Sequence, residues 1–132
     1  TLSGMTGWTV AVAGTAVWGD YDMSFGQDTL NAVPFASVLV RAGGVLDIQH
    51  GATSPRELFG LGADQPQTST ITVLSGGTLR KSSGTGVSNI RPRLVISGLA
   101  EAVSGSINIQ GTCAANGGAT SIGAVTGNCV FP

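Results

Sequence analysis

Val38-Leu39-Val40-Arg41-Ala42-Gly43-Gly44-Val45-Leu46-Asp47-Ile48 is the stretch on which the fold turns, because it returns 33 residues later as Ile71-Thr72-Val73-Leu74-Ser75-Gly76-Gly77-Thr78-Leu79-Arg80-Lys81. Each copy is two β-rich runs joined by a glycine pair. Such a pair is a good two-residue hairpin turn, so an antiparallel reading comes first, and parity tests it. A hairpin turning at Gly43-Gly44 sets Val40 opposite Asp47 and Val38 opposite Gln49; in the second copy Val73 meets Arg80 and Thr72 meets Lys81. Each face then mixes charge with apolar groups. If the glycines are instead a corner at which the alternation changes phase, Val38, Val40, Leu46 and Ile48 share one side, and Ile71, Val73 and Leu79 share it in the next copy. That inner row is aliphatic, marred by Lys81 at the place of Ile48. It is the pattern of a coil that cannot bury its apolar row alone and stacks on its neighbours.

The expected fold is therefore all-β, a short parallel β-helix or β-solenoid, with an antiparallel β-sandwich of the pilin type as the alternative. Further β runs fall at 8–19, 36–49, 69–81, 92–97 and 105–110, with loops over 19–34, 51–68 and 82–91. Gly105-Ser106-Ile107-Asn108-Ile109 echoes Gly44-Val45-Leu46-Asp47-Ile48, and Val10 to Trp18 fits a first coil less closely. Ser54-Pro55-Arg56-Glu57 has the form of a capping box with proline in the first helical position, which predicts one short helix over 55–60. The whole chain, 1–132, reads as a single domain. Within it, residues 1–18 are the candidate for an exchanged or docking strand and 112–132 for a C-terminal cap.

Composition bounds the function. The 132 residues hold 6 Lys+Arg against 7 Asp+Glu and 21 glycines, with no basic block able to neutralise a run of phosphates. Nucleic acid is a poor candidate partner on that ground, and none is expected. No apolar run approaches the ~20 residues of a membrane-spanning helix, and Thr1-Leu2-Ser3-Gly4 reads as a processed or trimmed terminus. Cys113 and Cys129 have no second pair and no nearby histidine with which to build a zinc site. They are read as a disulfide closing a C-terminal loop, with two unpaired thiols as the other reading. A bridge implies an oxidising compartment, and hence an extracellular location.

The form "alternating β run, Gly-Gly, Leu, alternating residue, Gly" over 37–51 and 70–84 resembles the coils of secreted right-handed β-helix proteins, such as autotransporter adhesin passengers and phage or bacterial surface fibres. The resemblance covers about half the chain. It implies an extracellular structural or adhesive role and supplies no functional residues to carry over.

Sites of chemistry are sparse. Gly19-Asp20-Tyr21-Asp22, with Asp28, offers oxygens to calcium, but an all-protein site needs about 6–8 of them, and a polar turn is the plainer reading. His50 stands at a strand end without a recognisable nucleophile context. Asp47 and Glu57 lie in unrelated contexts for the paired carboxylates of glycoside hydrolysis. Arg91-Pro92-Arg93, preceded by Arg80-Lys81, is the one basic cluster and reads as a solvated rim. No regular Thr-x-Thr ladder marks an ice-binding face. No N-x-S/T sequon occurs, while O-linked sugars on Ser and Thr stay open.

The function expected is a non-enzymatic extracellular structural subunit without cofactors. Its partners are copies of itself, with which it builds a filament, pilus-like fibre or surface layer by subunit stacking or strand donation. Trp8, Val10 and Val12 are the candidate lent strand, and Val130 and Phe131 the docking tail. The alternatives are a virion decoration or fibre protein and a cell-surface module binding a glycan. The last requires exposed aromatics at Trp8 and Trp18.

Overall fold

The computed structural model describes residues 9–19, 23–24, 37–49, 56–59 and 70–132, which wind as successive coils of a parallel β-solenoid. The first coil holds β1 (Thr9–Val12), β2 (Thr15–Trp18) and β3 (Met23–Ser24), and the second β4 (Ser37–Val40), β5 (Val45–Gln49) and β6 (Arg56–Phe59). In the third are β7 (Thr70–Val73), β8 (Thr78–Ser83) and β9 (Val87–Ile90). The fourth is β10 (Arg93–Ile96) with the long β11 (Leu99–Ile109); β12 (Cys113–Ala115) and β13 (Thr120–Gly127) make the last.

Every strand pairing among the described residues is parallel, which rules out the antiparallel sandwich. One face is the ladder β1-β4-β7-β10-β12. A second runs β2-β5-β8 and a third β3-β6-β9, and β11 bends round the corner to serve both: Leu99 to Ala102 pair with β8, Ser106 to Ile109 with β9. β13 follows β11 round the same corner, with a register shift between Ala102 and Ile107.

The two sequence copies stack in register, Val38 on Ile71 and Leu46 on Leu79. Val38, Val40, Leu46, Ile48, Ile71, Val73 and Leu79 are all buried, together with Ile90, Leu94, Ile96, Ile107 and Ile109. Branched aliphatic chains standing one above another on parallel strands fill such a narrow interior without gaps, which is why β-branched residues dominate it.

The glycine pairs are corners, and each glycine has its own task. Gly43 and Gly76 take φ of 81° and 85°, where a side chain is disfavoured. Gly44 instead lies so close under the preceding coil that a Cβ would collide with the carbonyl oxygen of Val12. Close approach lets the ladder continue through the corner. Arg41 N–H donates to Val12 O at 2.9 Å, Leu74 N–H to Val40 O at 2.9 Å, Ser97 N–H to Val73 O at 2.8 Å and Asn116 N–H to Ile96 O at 2.9 Å.

Several expectations are corrected. Arg56–Phe59 is a strand and not part of a helix over 55–60. One helical turn fixes several residues for a single internal bond, whereas β6 bonds along both edges, to β3 and β9. A proline before a strand's first residues is as acceptable as one at a helix start. β9 lies inside the loop expected over 82–91. The echo at 105–109 belongs to the third face: Ile107 stacks on Ser88, while the true mate of Leu46 and Leu79 is Ala100. The 33-residue spacing of the two copies is not the elementary coil length. Asp47 and Arg80, on adjacent coils, are 33 residues apart, but Asn89 and Asn108 only 19. The shorter value is the elementary coil, and extra residues enter mainly between β3 and β4 and between β6 and β7, at one corner of the section, with fewer between β5 and β6 and between β7 and β8.

Lys81 is the inner row's flaw, and the structure repairs it locally. It is fully buried at the register of Ile48. Its Nζ donates to the buried Ser88 Oγ at 3.0 Å, so a polar residue stands inside β9 where an aliphatic one would leave the amine short of an acceptor. Gly105 makes room for the stem, since a Cβ there would come within 2.8 Å of Lys81 Cε.

Candidate functional site

On the outside of the second face, register places Val17, Asp47, Arg80, Glu101 and Ile122 in one row across all the coils. Its centre is charged. Arg80 Nη2 lies 3.4 Å from Asp47 Oδ2, and Gln49 Nε2 donates to the same oxygen at 2.8 Å. Asp47 is nearly covered even though it faces outward. Asp47 Oδ1 and Arg80 Nε are both buried without a partner among the described residues, so the bridge uses one arm of a fork built for two bonds.

Burial pushes the Asp47 carboxyl up, but hydrogen bonds from Gln49, Ser82 and Arg80, with the Arg80 charge, outweigh it and hold the group below its ordinary value. A carboxyl depressed on folding contributes stability above its unfolded pKa, about 3.9, and loses it as pH falls through the lower folded value. Stability measured by urea unfolding should therefore drop as pH is lowered below about 4. In Asp47→Asn this part of the acid dependence should vanish; an identical acid limb in the variant would show that Asp47 does not carry it.

The third face carries a ladder of amides and a hydroxyl, in register with Glu57 of β6. Asn108 Nδ2 donates to Asn89 Oδ1 at 3.1 Å, and Thr126 Oγ1 to Asn108 Oδ1 at 3.4 Å. Stacked amides of this kind hold neighbouring coils in register. At the adjoining corner Arg91 Nε donates to Gln110 Oε1 at 3.2 Å, and Asn128 Nδ2 to Gln110 O at 2.9 Å.

The last coil differs from the rest. β13 is eight residues long, Thr-Ser-Ile-Gly-Ala-Val-Thr-Gly, exposed at all but Val125. Among the described residues it pairs on one side only, with β11. Strands in that position are normally protected by lysine, proline or short length, and β13 has none of these. Cys113 and Cys129 form a disulfide that packs, with Phe131, against the end of the core. Val130 beside it is 85% exposed. No Asp, Glu, Lys, Arg or His follows Glu101 in the sequence. β1, β2 and β3 are uncharged as well. The charged residues of the described strands stand on the middle coils.

Of the residues singled out from sequence, Cys113 and Cys129 are joined and Phe131 packs on its own chain's core. Val12 is buried and Val10 partly so, both in β1, whose partner is β4 of the same chain. Trp8, Asp20, Tyr21, Asp22, Asp28 and His50 lie outside the described residues, as does the side chain of Glu57. Trp18 is buried in the core. The basic cluster is divided, with Arg91 and Arg93 exposed at a corner, Arg80 on the second face and Lys81 inside. Among the described residues no three His, Cys, Asp or Glu come together as a metal site, and no helix is long and apolar enough to cross a membrane. Sequence reasoning passed over Val17 and Ile122. The signal that finds them is the lack of charge in the strand runs at 9–18 and 113–127, which gains meaning once those runs are placed on the first and last described coils. Comparison of the chain with protein-family models, curated proteins and solved structures finds no match.

Proposed function

We propose that this chain is a non-enzymatic structural subunit of an extracellular filament, fibre or surface layer, joined to copies of itself by stacking of coils. The observation that carries this reading is the edge of β13, eight uncharged and almost wholly exposed residues with a row of backbone donors and acceptors, protected by neither lysine, proline nor short length. A parallel strand laid against it by another chain would bond that row, the physics of strand addition. Stacking is favoured over lending of residues 1–18, because 9–18 already pair with β4 and β5. The Cys113–Cys129 disulfide supports an oxidising compartment. The glycan-binding alternative loses support with Trp18 inside the core.

Sedimentation velocity and negative-stain microscopy over a dilution series test the proposal. Concentration-dependent rods or sheets are expected. A monodisperse monomer at every concentration overturns it.

A further inference from the structure

The outer row of the second face begins and ends on apolar residues that its centre lacks. Val17, in the first coil, is 56% exposed, and Ile122, in the last, is 54% exposed. Between them stand Asp47, Arg80 and Glu101. Each inner position is flanked above and below by another coil; Val17 and Ile122 are flanked on one side among the described residues. A large apolar side chain on an outward position of a solenoid gains little from its own coil, because outward groups touch mainly the residues one coil away.

Resting on the assembly reading above, we infer that copies join head to tail, with β13 of one chain laid parallel against β2 of the next and Ile122 set beside the partner copy's Val17. Two features converge on this junction. The first is the lack of charge in all strands of the first and last described coils, β1, β2, β3, β12 and β13, although the strands of every coil between them carry charge; the acids of the first coil, Asp20 and Asp22, fall between β2 and β3 in the sequence. Charged groups trapped at a junction would cost desolvation. The second is the row itself, which a head-to-tail stack turns into a continuous one with an apolar pair at each join. Because the two surfaces differ, the contact is heterologous. Repeating it without closure gives an open filament.

A tail-to-tail pair, β13 against β13, uses the same unprotected edge and is the competing arrangement. Charge substitutions separate the two. Val17 and Ile122 both point to solvent, so aspartate or lysine at either should leave the monomer fold intact, checked by circular dichroism and thermal melting. In the head-to-tail arrangement Val17→Asp and Ile122→Asp each raise the critical concentration for assembly, and the double variant Val17→Asp/Ile122→Asp, with like charges meeting at every junction, raises it tenfold or more. The double variant Val17→Lys/Ile122→Asp brings opposite charges together and assembles at close to the native concentration. Tail-to-tail pairing instead makes Ile122→Asp disruptive alone and leaves Val17→Asp without effect. That outcome, or assembly indifferent to all four variants, overturns the head-to-tail inference while leaving self-assembly standing. A native chain that never assembles removes both.

Discussion

Gly98→Ala is expected to lower the unfolding free energy by about 2–4 kcal/mol, among the larger losses a single methyl group can cause. The corner between β10 and β11 has only two residues, Ser97 and Gly98, as the first coil has in Ala13 and Gly14, where the second and third coils use four. Gly98 lies directly over the corner of the third coil. A Cβ there would run into the carbonyl oxygen of Gly77 and stand 2.6 Å from that of Leu74. Neither oxygen is free to move away, because Gly77 O accepts from Leu99 N–H at 3.0 Å and Leu74 O from Gly77 N–H at 2.8 Å. The added methyl must separate two coils at a point where Thr120 of the next one also hangs from Gly98 O, at 3.1 Å. The control is Gly14→Ala in the first coil, where nothing lies within 4 Å. That change removes chain entropy from the unfolded state and should be neutral or stabilising by up to about 1 kcal/mol. Urea unfolding of the two variants side by side is the measurement. Equal effects would show that coil spacing at the corner is not what requires glycine.

Removing the disulfide, as Cys113→Ala/Cys129→Ala or by reduction of the native chain, is expected to cost about 3 kcal/mol through the freedom returned to the unfolded loop. The loss should not be uniform. β12 and β13 have a single neighbouring coil each among the described residues, and β13 buries almost nothing. Cys113, on the first face, and Cys129, just past the third, tie the two ends of this coil to each other and to the core. Hydrogen exchange should therefore show the β13 amides opening first in the variant, well below the free energy of global unfolding. Amides of β4 and β7 should open only with the whole domain. Since the assembly reading places β13 at the junction, the same treatment should also raise the critical concentration for assembly. Retention of full β13 protection without the bridge would mean that backbone pairing with β11 suffices to hold the last coil.

Inner rows were legible in the sequence because strand periodicity is two and the residues at those positions, Val38, Val40, Ile71 and Val73 among them, are strongly apolar. The glycine corners were legible once parity was tested, since a hairpin and a corner predict opposite partners for Asp47 and Arg80. Coil length was not. The best-matched copies sit on either side of the long connection between β6 and β7, so their spacing measures one coil plus its excursion. β9 escaped because only one of its two inward residues, Ile90, is apolar, while the other, Ser88, is polar for the sake of Lys81, and Ser88 and Lys81 each looked like an error while the other was unplaced. The first half of β11 escaped because Ala100 and Ala102, though buried, are too small to register as a core run. A capping box at Ser54 to Glu57 is a local signal, and sheet pairing on both edges outweighed it. For the candidate site, charge distribution was present in the sequence, but its assignment to the two ends needed the order of the coils.

The stacking geometry also governs how such a chain can change length. Adjacent coils match residue for residue, as with Val38 and Ile71 or Leu94 and Cys113, and each contacts only its neighbours. Copying a segment from one corner to the corresponding corner of the next coil inserts a complete rung whose two surfaces already fit the rungs above and below. The shaft grows by about 4.8 Å for each such duplication, with no new packing problem to solve. Residues added at the corner between the third and first faces, where the first two coils carry their surplus, leave the ladders untouched. Reach and decoration are thus separable traits in this architecture, one set by gene duplication and the other by insertion.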